Sequence, residues 1–322
     1  MYRFSITLAL ILIFLALPRI FDEFREYDSA GRGRDFVGSN FAVEFTKAPS
    51  DDRLMEHVFV RGTEVEAARI LPPYRDFAVA EPQLTASLAL AVDLHGGFIF
   101  FRKGGDDQRW PIASLSKLIT ALVAEERIHD DAEIVISDAA ISSEGATGNF
   151  SPGDIYSRDD MITAMLLLSS NDAAAALSER IGPEQFVSFM QQKASAIGMN
   201  DTIFIEATGL SAINQSTLTD LHKLMKHLYE YAPHLLELTA RKSATIINLR
   251  NGERKVIHNI NRFAGFSNFA GGKTGYLEDS KGNLVSLFEY RDLLIATIML
   301  GSDDRFGETE KILEFIKNGY KF

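Results

Sequence analysis

Cysteine is absent from this chain of 322 residues. That excludes disulfides, thiolate catalysis, a lipid-bearing cysteine and cysteine-ligated zinc. It leaves the compartment open, because a cysteine-free chain suits an oxidising exterior as well as a cytosol. An excess of basic residues is missing too. Lys and Arg total 33 against 44 Asp and Glu, a net charge of −11. A protein whose main partner is nucleic acid should present a dominant basic face, so no nucleic-acid partner is expected. Long apolar runs are confined to the N-terminus, which excludes a multi-span membrane chain. No internal repeat is visible. With 46% hydrophobic and 24% charged residues, the composition is that of a globular chain with a real core. The length suits one large domain or two small ones.

The N-terminal run is Phe4–Leu17, polar only at Ser5 and Thr7, with Arg3 before it. Charge followed by apolar residues is the order of an export signal. Extended through Pro18 to Phe21 it becomes long enough for a thin membrane, with Arg19 inside it. No A-x-A cleavage site follows directly. Residues 1–21 are therefore expected to be an uncleaved signal anchor, with a cleaved signal peptide and a buried helix as the other readings. Either of the first two puts the rest of the chain at the outer side of the cell membrane or beyond it.

Residues 22–83 resemble a stalk: charge-dense over Asp22–Arg34, with Pro and Asp in Lys47–Arg53 and a double proline at Pro72-Pro73. Regular patterning begins at about residue 84. Ala86–Leu94 and Phe98–Arg102 read as strands around Gly96-Gly97. Ser114–Arg127 has Leu115, Leu118, Ile119, Leu122 and Val123 on one helical face. Further helices are expected over Met161–Leu168, capped by Asp159 or Asp160, and over Asp172–Ile181. Two more are expected from Pro183 to Gly198 and over Asp220–Tyr231, the latter capped by Thr219. Thr245–Leu249 and Arg254–His258 flank Asn251-Gly252, a hairpin signal. Leu284–Tyr290 and Leu293–Leu300 form another pair, and a last helix covers about Gly307–Lys317. Strands, a helical block, strands and a helix suggest an α/β domain over 84–322. Its antiparallel sheet would bring the two chain ends together, with a helical subdomain inserted between them.

Three short motifs carry possible chemistry. Ser114-Leu115-Ser116-Lys117 sets a hydroxyl and an amine three residues apart, on one face of a helix. Such a lysine can take the serine proton only when neutral, which burial or another cation must bring about. Taken alone, the bland reading is an N-cap serine beside a solvated lysine. Ser169-Ser170-Asn171 interrupts an apolar helix and could be a plain inter-helix turn. Gly271-Gly272-Lys273-Thr274-Gly275 fails as a phosphate loop. Ser267 stands where that loop needs its first glycine, and a turn rather than a helix comes next. A strand edge is the better reading, its glycines admitting a substrate backbone and Lys273 and Thr274 binding an anion. The bland alternative is a glycine-rich hairpin with an exposed lysine.

Together, in this order, the three match the S-x-x-K, S-D-N and K-T-G set of penicillin-binding proteins and class A β-lactamases. From about Leu84 to Phe315 the sequence resembles the D-alanyl-D-alanine carboxypeptidases, low-molecular-mass penicillin-binding proteins of the serine type. Thr208-Gly209-Leu210 and Gly282-Asn283-Leu284-Val285 support the resemblance. It implies a β-lactamase/transpeptidase-like fold and removal of the terminal D-alanine from peptidoglycan stem peptides. It also implies covalent inhibition by β-lactam antibiotics. By the same resemblance Ser114 would be the nucleophile, Lys117 the general base and Ser169 a proton relay to the leaving amine. The backbone N–H groups of Ser114 and Tyr276 would form the oxyanion hole. Asn171 would hold the substrate backbone. Lys273 and Thr274, with Gly275 beside them, would bind the terminal carboxylate. The sequence departs from the family pattern in three ways. Ser170 replaces the family's usual glycine, the stalk is longer than usual, and no counterpart of the family's C-terminal β-domain is expected after the last helix.

No cofactor or metal is expected, since His222 and His227 lack H-E-x-x-H spacing and no Glu follows His222. A β-lactamase would also need a deacylating Glu in an E-x-x-L-N stretch, and none lies between Asn171 and Lys273. A D,D-endopeptidase acting on cross-links would use the same residues and stays open. So does a wall-binding module without turnover.

Overall fold

Leu88–Asp93 alternates large and small apolar residues, and strand geometry sends them to opposite faces. In the computed structural model, which describes residues 73–141 and 148–322, this segment is strand β1 near the middle of a five-stranded sheet. Leu88, Leu90 and Val92 face one core, shared with the helical block. Ala89 and Ala91 face a second core, rich in phenylalanine. Alanine on that face leaves room for Phe101, Phe288 and Phe315. The other strands are β2 (Ile99–Lys103), β3 (Phe269–Leu277), β4 (Lys281–Tyr290) and β5 (Leu293–Ser302). Their order is β3-β4-β5-β1-β2, antiparallel throughout. β1 from the start of the domain thus pairs with β5 from its end, Thr297 opposite Ala91. This is the expected meeting of chain ends around an inserted helical block.

That block contains α1 (Lys117–Arg127), α2 (Arg158–Leu167), α3 (Asn171–Glu179), α4 (Pro183–Ile197), α5 (Leu218–Tyr231) and α6 (Pro233–Ala240). A final helix, α7 (Arg305–Gly319), covers the phenylalanine-rich face of the sheet. Two caps differ from expectation. Ser157, not Asp159 or Asp160, caps α2, its side chain accepting from the Asp160 N–H at 3.1 Å. Thr217 rather than Thr219 caps α5 in the same way. Each sits in extended backbone one residue before its helix, as an N-cap must. Helix α6 and a short helix, Asp138–Ile141, go beyond the sequence expectation. Pro233 at the first turn of α6 is a start signal for that helix.

The domain boundary also moves. Tyr74-Arg75 pairs with Tyr320-Lys321, and the Asp76 N–H donates to the Gly319 carbonyl at 2.8 Å. Residues 74–83, expected to belong to the stalk, are therefore part of the folded domain. The apolar segment Phe4–Leu17 and the rest of the stalk lie outside the described residues. Among the described residues no helix is long and apolar enough to cross a membrane.

Candidate active site

Ser114 does not open an α-helix. It lies in a 3₁₀ turn, Ala113–Ser116, that runs into α1 at Lys117. In such a turn residues i and i+3 eclipse each other, so the Ser114 and Lys117 side chains line up. Lys117 Nζ lies 3.0 Å from Ser114 Oγ. The amine is fully buried, as is the whole Lys117 side chain. It also donates to Asn171 Oδ1 at 2.7 Å and to the Thr208 backbone carbonyl. Burial lowers its pKa to about 7, against an opposing pull from the Glu206 carboxylate.

This arrangement decides where a neutral amine points its lone pair. A neutral lysine has two N–H donors and one acceptor. A carbonyl oxygen can only accept, so Asn171 Oδ1 and the Thr208 carbonyl take the two N–H groups. The third neighbour, the Ser114 hydroxyl, accepts from an ammonium but is the one of the three that can donate to a neutral amine. The lone pair therefore faces the Ser114 proton, the geometry a general base requires.

The second motif sits at the turn between α2 and α3. Ser169 has φ +60°, an uncommon conformation for a residue with a Cβ, and Ala113, next to Ser114, has φ +50°. Such backbone clusters at functional sites. Ser170 caps α3, its hydroxyl accepting from the Ala173 N–H at 3.2 Å, which explains why serine serves in place of glycine there. Asn171 is the first residue of α3.

The third motif lies on β3, an edge strand of the sheet. Lys273 and Thr274 are both buried. Lys273 Nζ donates to Ser169 Oγ at 2.8 Å and to the Thr274 carbonyl at 2.9 Å. Burial, with the positive charges of Lys117 and Arg305, drives its pKa well below the usual lysine range. An anion brought beside it would restore the ammonium form. Glycine lets β3 approach: a Cβ on Gly275 would lie 3.0 Å from the Ile112 carbonyl and 3.2 Å from the Ser114 nitrogen. A Cβ on Gly272 would run into the Val285 carbonyl of β4. Tyr276 comes next, at the exposed end of the motif, 62% accessible.

Two buried amines, two hydroxyls, an asparagine and the Thr208 carbonyl, from four separate segments, thus meet in one place. Residues 75–304 match the family described as D-alanyl-D-alanine carboxypeptidase. The chain belongs to this family. It is similar to the D-alanyl-D-alanine endopeptidase of Escherichia coli (strain K12), 35% identical over 150 residues, which are 45% of this chain and 48% of that protein. It is 31% identical over 230 residues to the D-alanyl-D-alanine endopeptidase of Pseudomonas aeruginosa, covering 66% of this chain and 74% of that protein. The chain thus spans about half the length of the first relative and three quarters of the second. Penicillin-binding protein D2 from Listeria monocytogenes, solved with cefotaxime bound, superposes with a TM-score of 0.64 at 26% identity. That match covers 73% of this chain and 98% of the other. The fold is therefore that of the penicillin-binding proteins, as the motif order implied.

All eight expected site residues, Ser114, Lys117, Ser169, Asn171, Lys273, Thr274, Gly275 and Tyr276, fall on the three segments that surround this centre. Contacts that the family motifs do not carry complete it. The Thr208 carbonyl was not expected to touch Lys117, although Thr208-Gly209-Leu210 supports the family resemblance. Gly209 has φ +81°, and a Cβ there would strike the Ala113 carbonyl. Only glycine lets that turn press against the segment that carries Ser114. Arg305 donates from Nη1 to the Gly275 carbonyl at 3.0 Å and adds positive potential at the end of β3. It was missed because the last helix was expected to begin at Gly307, two residues later.

Proposed function

We propose that this chain is a serine D,D-carboxypeptidase that removes the terminal D-alanine from peptidoglycan stem peptides through an acyl-enzyme on Ser114. The observation that carries this reading is the buried Lys117 amine, with a pKa of about 7 and 3.0 Å from Ser114 Oγ. Neutral Lys117 takes the Ser114 proton as Oγ attacks the carbonyl of the penultimate D-alanine. The N–H groups of Ser114 and Tyr276 receive the developing oxyanion. Ser169, held by Lys273, passes a proton to the leaving amine. Asn171 holds the substrate backbone. Lys273 and Thr274, in the positive field of Arg305, receive the terminal carboxylate. Water then releases the shortened peptide. A β-lactam presents the same carbonyl and carboxylate and traps the acyl-enzyme, in keeping with the cefotaxime-bound relative.

The test is covalent labelling by a fluorescent penicillin, read by intact-protein mass. One adduct is expected on the unaltered chain and none on Ser114→Ala. An adduct that survives the alanine names the wrong nucleophile.

A second reading, cleavage of cross-links, is favoured by the two relatives described as D-alanyl-D-alanine endopeptidases. A cross-linked peptide dimer and a pentapeptide offered together would separate the two activities. The carboxypeptidase reading expects free D-alanine from the pentapeptide as the faster product.

We further propose that the domain is held on the outer side of the cell membrane by residues 1–21, with the segment up to about residue 73 as spacer. Arg3 precedes the apolar run, and the residues after that run are mixed in charge (Arg19, Asp22, Glu23, Arg25), so the positive-inside bias keeps the N-terminus cytoplasmic. The substrate lies on the same outer side. Protease added to spheroplasts should digest a membrane-pelleted domain. Resistance until lysis would defeat both the anchor and the wall substrate.

A further inference from the structure

The family motifs leave one buried connection unexplained. The Thr208 carbonyl that occupies one N–H of Lys117 belongs to a turn gathered around a single carboxylate. Glu206 Oε2 accepts from the Thr208 N–H at 2.6 Å, and from the Thr208 hydroxyl. Glu206 Oε1 accepts from the Gly209 N–H at 2.8 Å, and from Asn214 Nδ2, also at 2.8 Å. The Ser211 N–H approaches Oε1 at 3.4 Å. Asn214 is fully buried and reaches the nucleophile's own segment: its Nδ2 donates to Ser116 Oγ at 3.2 Å, and its carbonyl accepts from the Ile112 N–H at 3.0 Å. Ser116 Oγ in turn donates to the Ala113 carbonyl at 2.9 Å. One carboxylate therefore ties the 208–214 turn together and, through Asn214, to the 3₁₀ turn that carries Ser114.

We propose that Glu206 is a positioning residue for acylation: its carboxylate fixes the Thr208 carbonyl on one N–H of Lys117, so that the lone pair of the neutral amine is left facing Ser114. The inference rests on Ser114 being the nucleophile and Lys117 its base. Only an ionised carboxylate can do this, because a carboxylate is acceptor on both oxygens. An amide would turn an NH₂ group toward N–H donors. Glu206 does not touch the reacting atoms; it acts through Thr208 and through its charge.

The charge gives the proposal a second consequence. Lys117 is faced by Ser114 on its own turn, Asn171 on α3, the Thr208 carbonyl with Glu206 behind it, and Lys273 on β3, with Arg305 on α7 beyond. Glu206 favours the ammonium, against the burial that favours the neutral amine. Neutralising Glu206, and freeing the Thr208 carbonyl that accepts from the ammonium, both make Lys117 harder to protonate. The acid limb of acylation should then move to lower pH while its plateau falls.

The experiment measures the second-order rate of labelling by fluorescent penicillin from pH 5 to 9, on the full chain and on Glu206→Gln and Glu206→Asp. For Glu206→Gln the acid limb is expected to move down by about one unit, with a plateau about tenfold lower. Aspartate keeps the charge but is too short to gather every donor. Its limb should move down less than that of Glu206→Gln while its plateau falls. A limb that stays put or moves up in Glu206→Gln overturns the proposal, and so does an unchanged plateau in both variants. If Glu206→Gln does not fold, Glu206→Asp decides alone: a lowered plateau with a limb at or somewhat below the wild-type pH supports the proposal, and an unchanged plateau or a limb that moves up refutes it. A ¹³Cε NMR titration of Lys117, with a wild-type midpoint of about 7, reads the same shift without acylation. Failure of the wild type to label would sink the acyl-enzyme reading, whereas an unmoved NMR midpoint in Glu206→Gln would sink the role of Glu206.

Discussion

Lys117→Met removes the amine and keeps a chain of nearly the same volume. The side chain is wholly buried, so the variant loses an amine whose desolvation is unfavourable, and methionine fills the space. The Thr208 carbonyl loses its donor, at a cost of about 1–3 kcal/mol, and the domain should stay folded. The catalytic loss is far larger. With a pKa of about 7, Lys117 is about half neutral at pH 7. A solvated lysine at the ordinary value would be neutral in only about one molecule in three thousand at that pH. Burial therefore raises the reactive form by about 10³, and a positioned general base contributes about 10²–10⁴ in rate. Labelling of Lys117→Met by fluorescent penicillin should be about 10³ slower than that of the unaltered chain. The sign of the pH dependence comes from the same group. Its pKa is lowered, so the neutral base is present above about pH 7 and is lost below it. The wild-type rate should fall about tenfold per unit once the pH is well below that midpoint, and Lys117→Met should be flat across the same range. A variant within tenfold of wild type, or a wild-type rate flat from pH 5 to 8, would refute Lys117 as the base.

Two further outcomes are expected. Lys273→Ala should slow turnover of peptides with a free terminal carboxylate by about 10–150-fold, the worth of a charge-assisted hydrogen bond of roughly 1.5–3 kcal/mol. Amidated peptides should lose much less, and equal losses in kcat/KM would count against the carboxylate role. Gly272→Ala should destabilise the domain by about 1–3 kcal/mol, because the new methyl meets the Val285 carbonyl across the β3–β4 pair. Thermal unfolding would show this as a lowered Tm, and an unchanged Tm would mean the strand pair yields at no cost.

Much of the fold was legible because its signals are local. Asn251-Gly252 sits between the strands Ser243–Ile247 and Arg254–His258. The strand, helix, strand, helix order already suggested that the chain ends share a sheet. Where expectation and structure part, the competing signal is also local. Asp159, Asp160 and Thr219 are good capping residues, but Ser157 and Thr217 have the extended backbone that lets their hydroxyls reach the right N–H. Residues 74–83 resemble linker because Tyr74-Arg75 finds its partner, Tyr320-Lys321, only at the far end of the chain.

The site divides in the same way. Spacing within the chain determined that Ser114 and Lys117 lie on one side of a single turn, that Ser169 and Asn171 flank a helix start, and that Lys273 and Thr274 stand on a glycine-flanked strand. Those are properties of a few consecutive residues. The state of the two amines is not such a property. A lysine's charge depends on what excludes water from it and which charges stand near. For Lys117 these are Asn171, the Thr208 carbonyl and Glu206; for Lys273 they are Ser169, Lys117 and Arg305. Each partner comes from a distant part of the sequence. Only the packing of sheet, helical block and 208–214 turn buries one lysine against Ser114 and sets the other against Ser169.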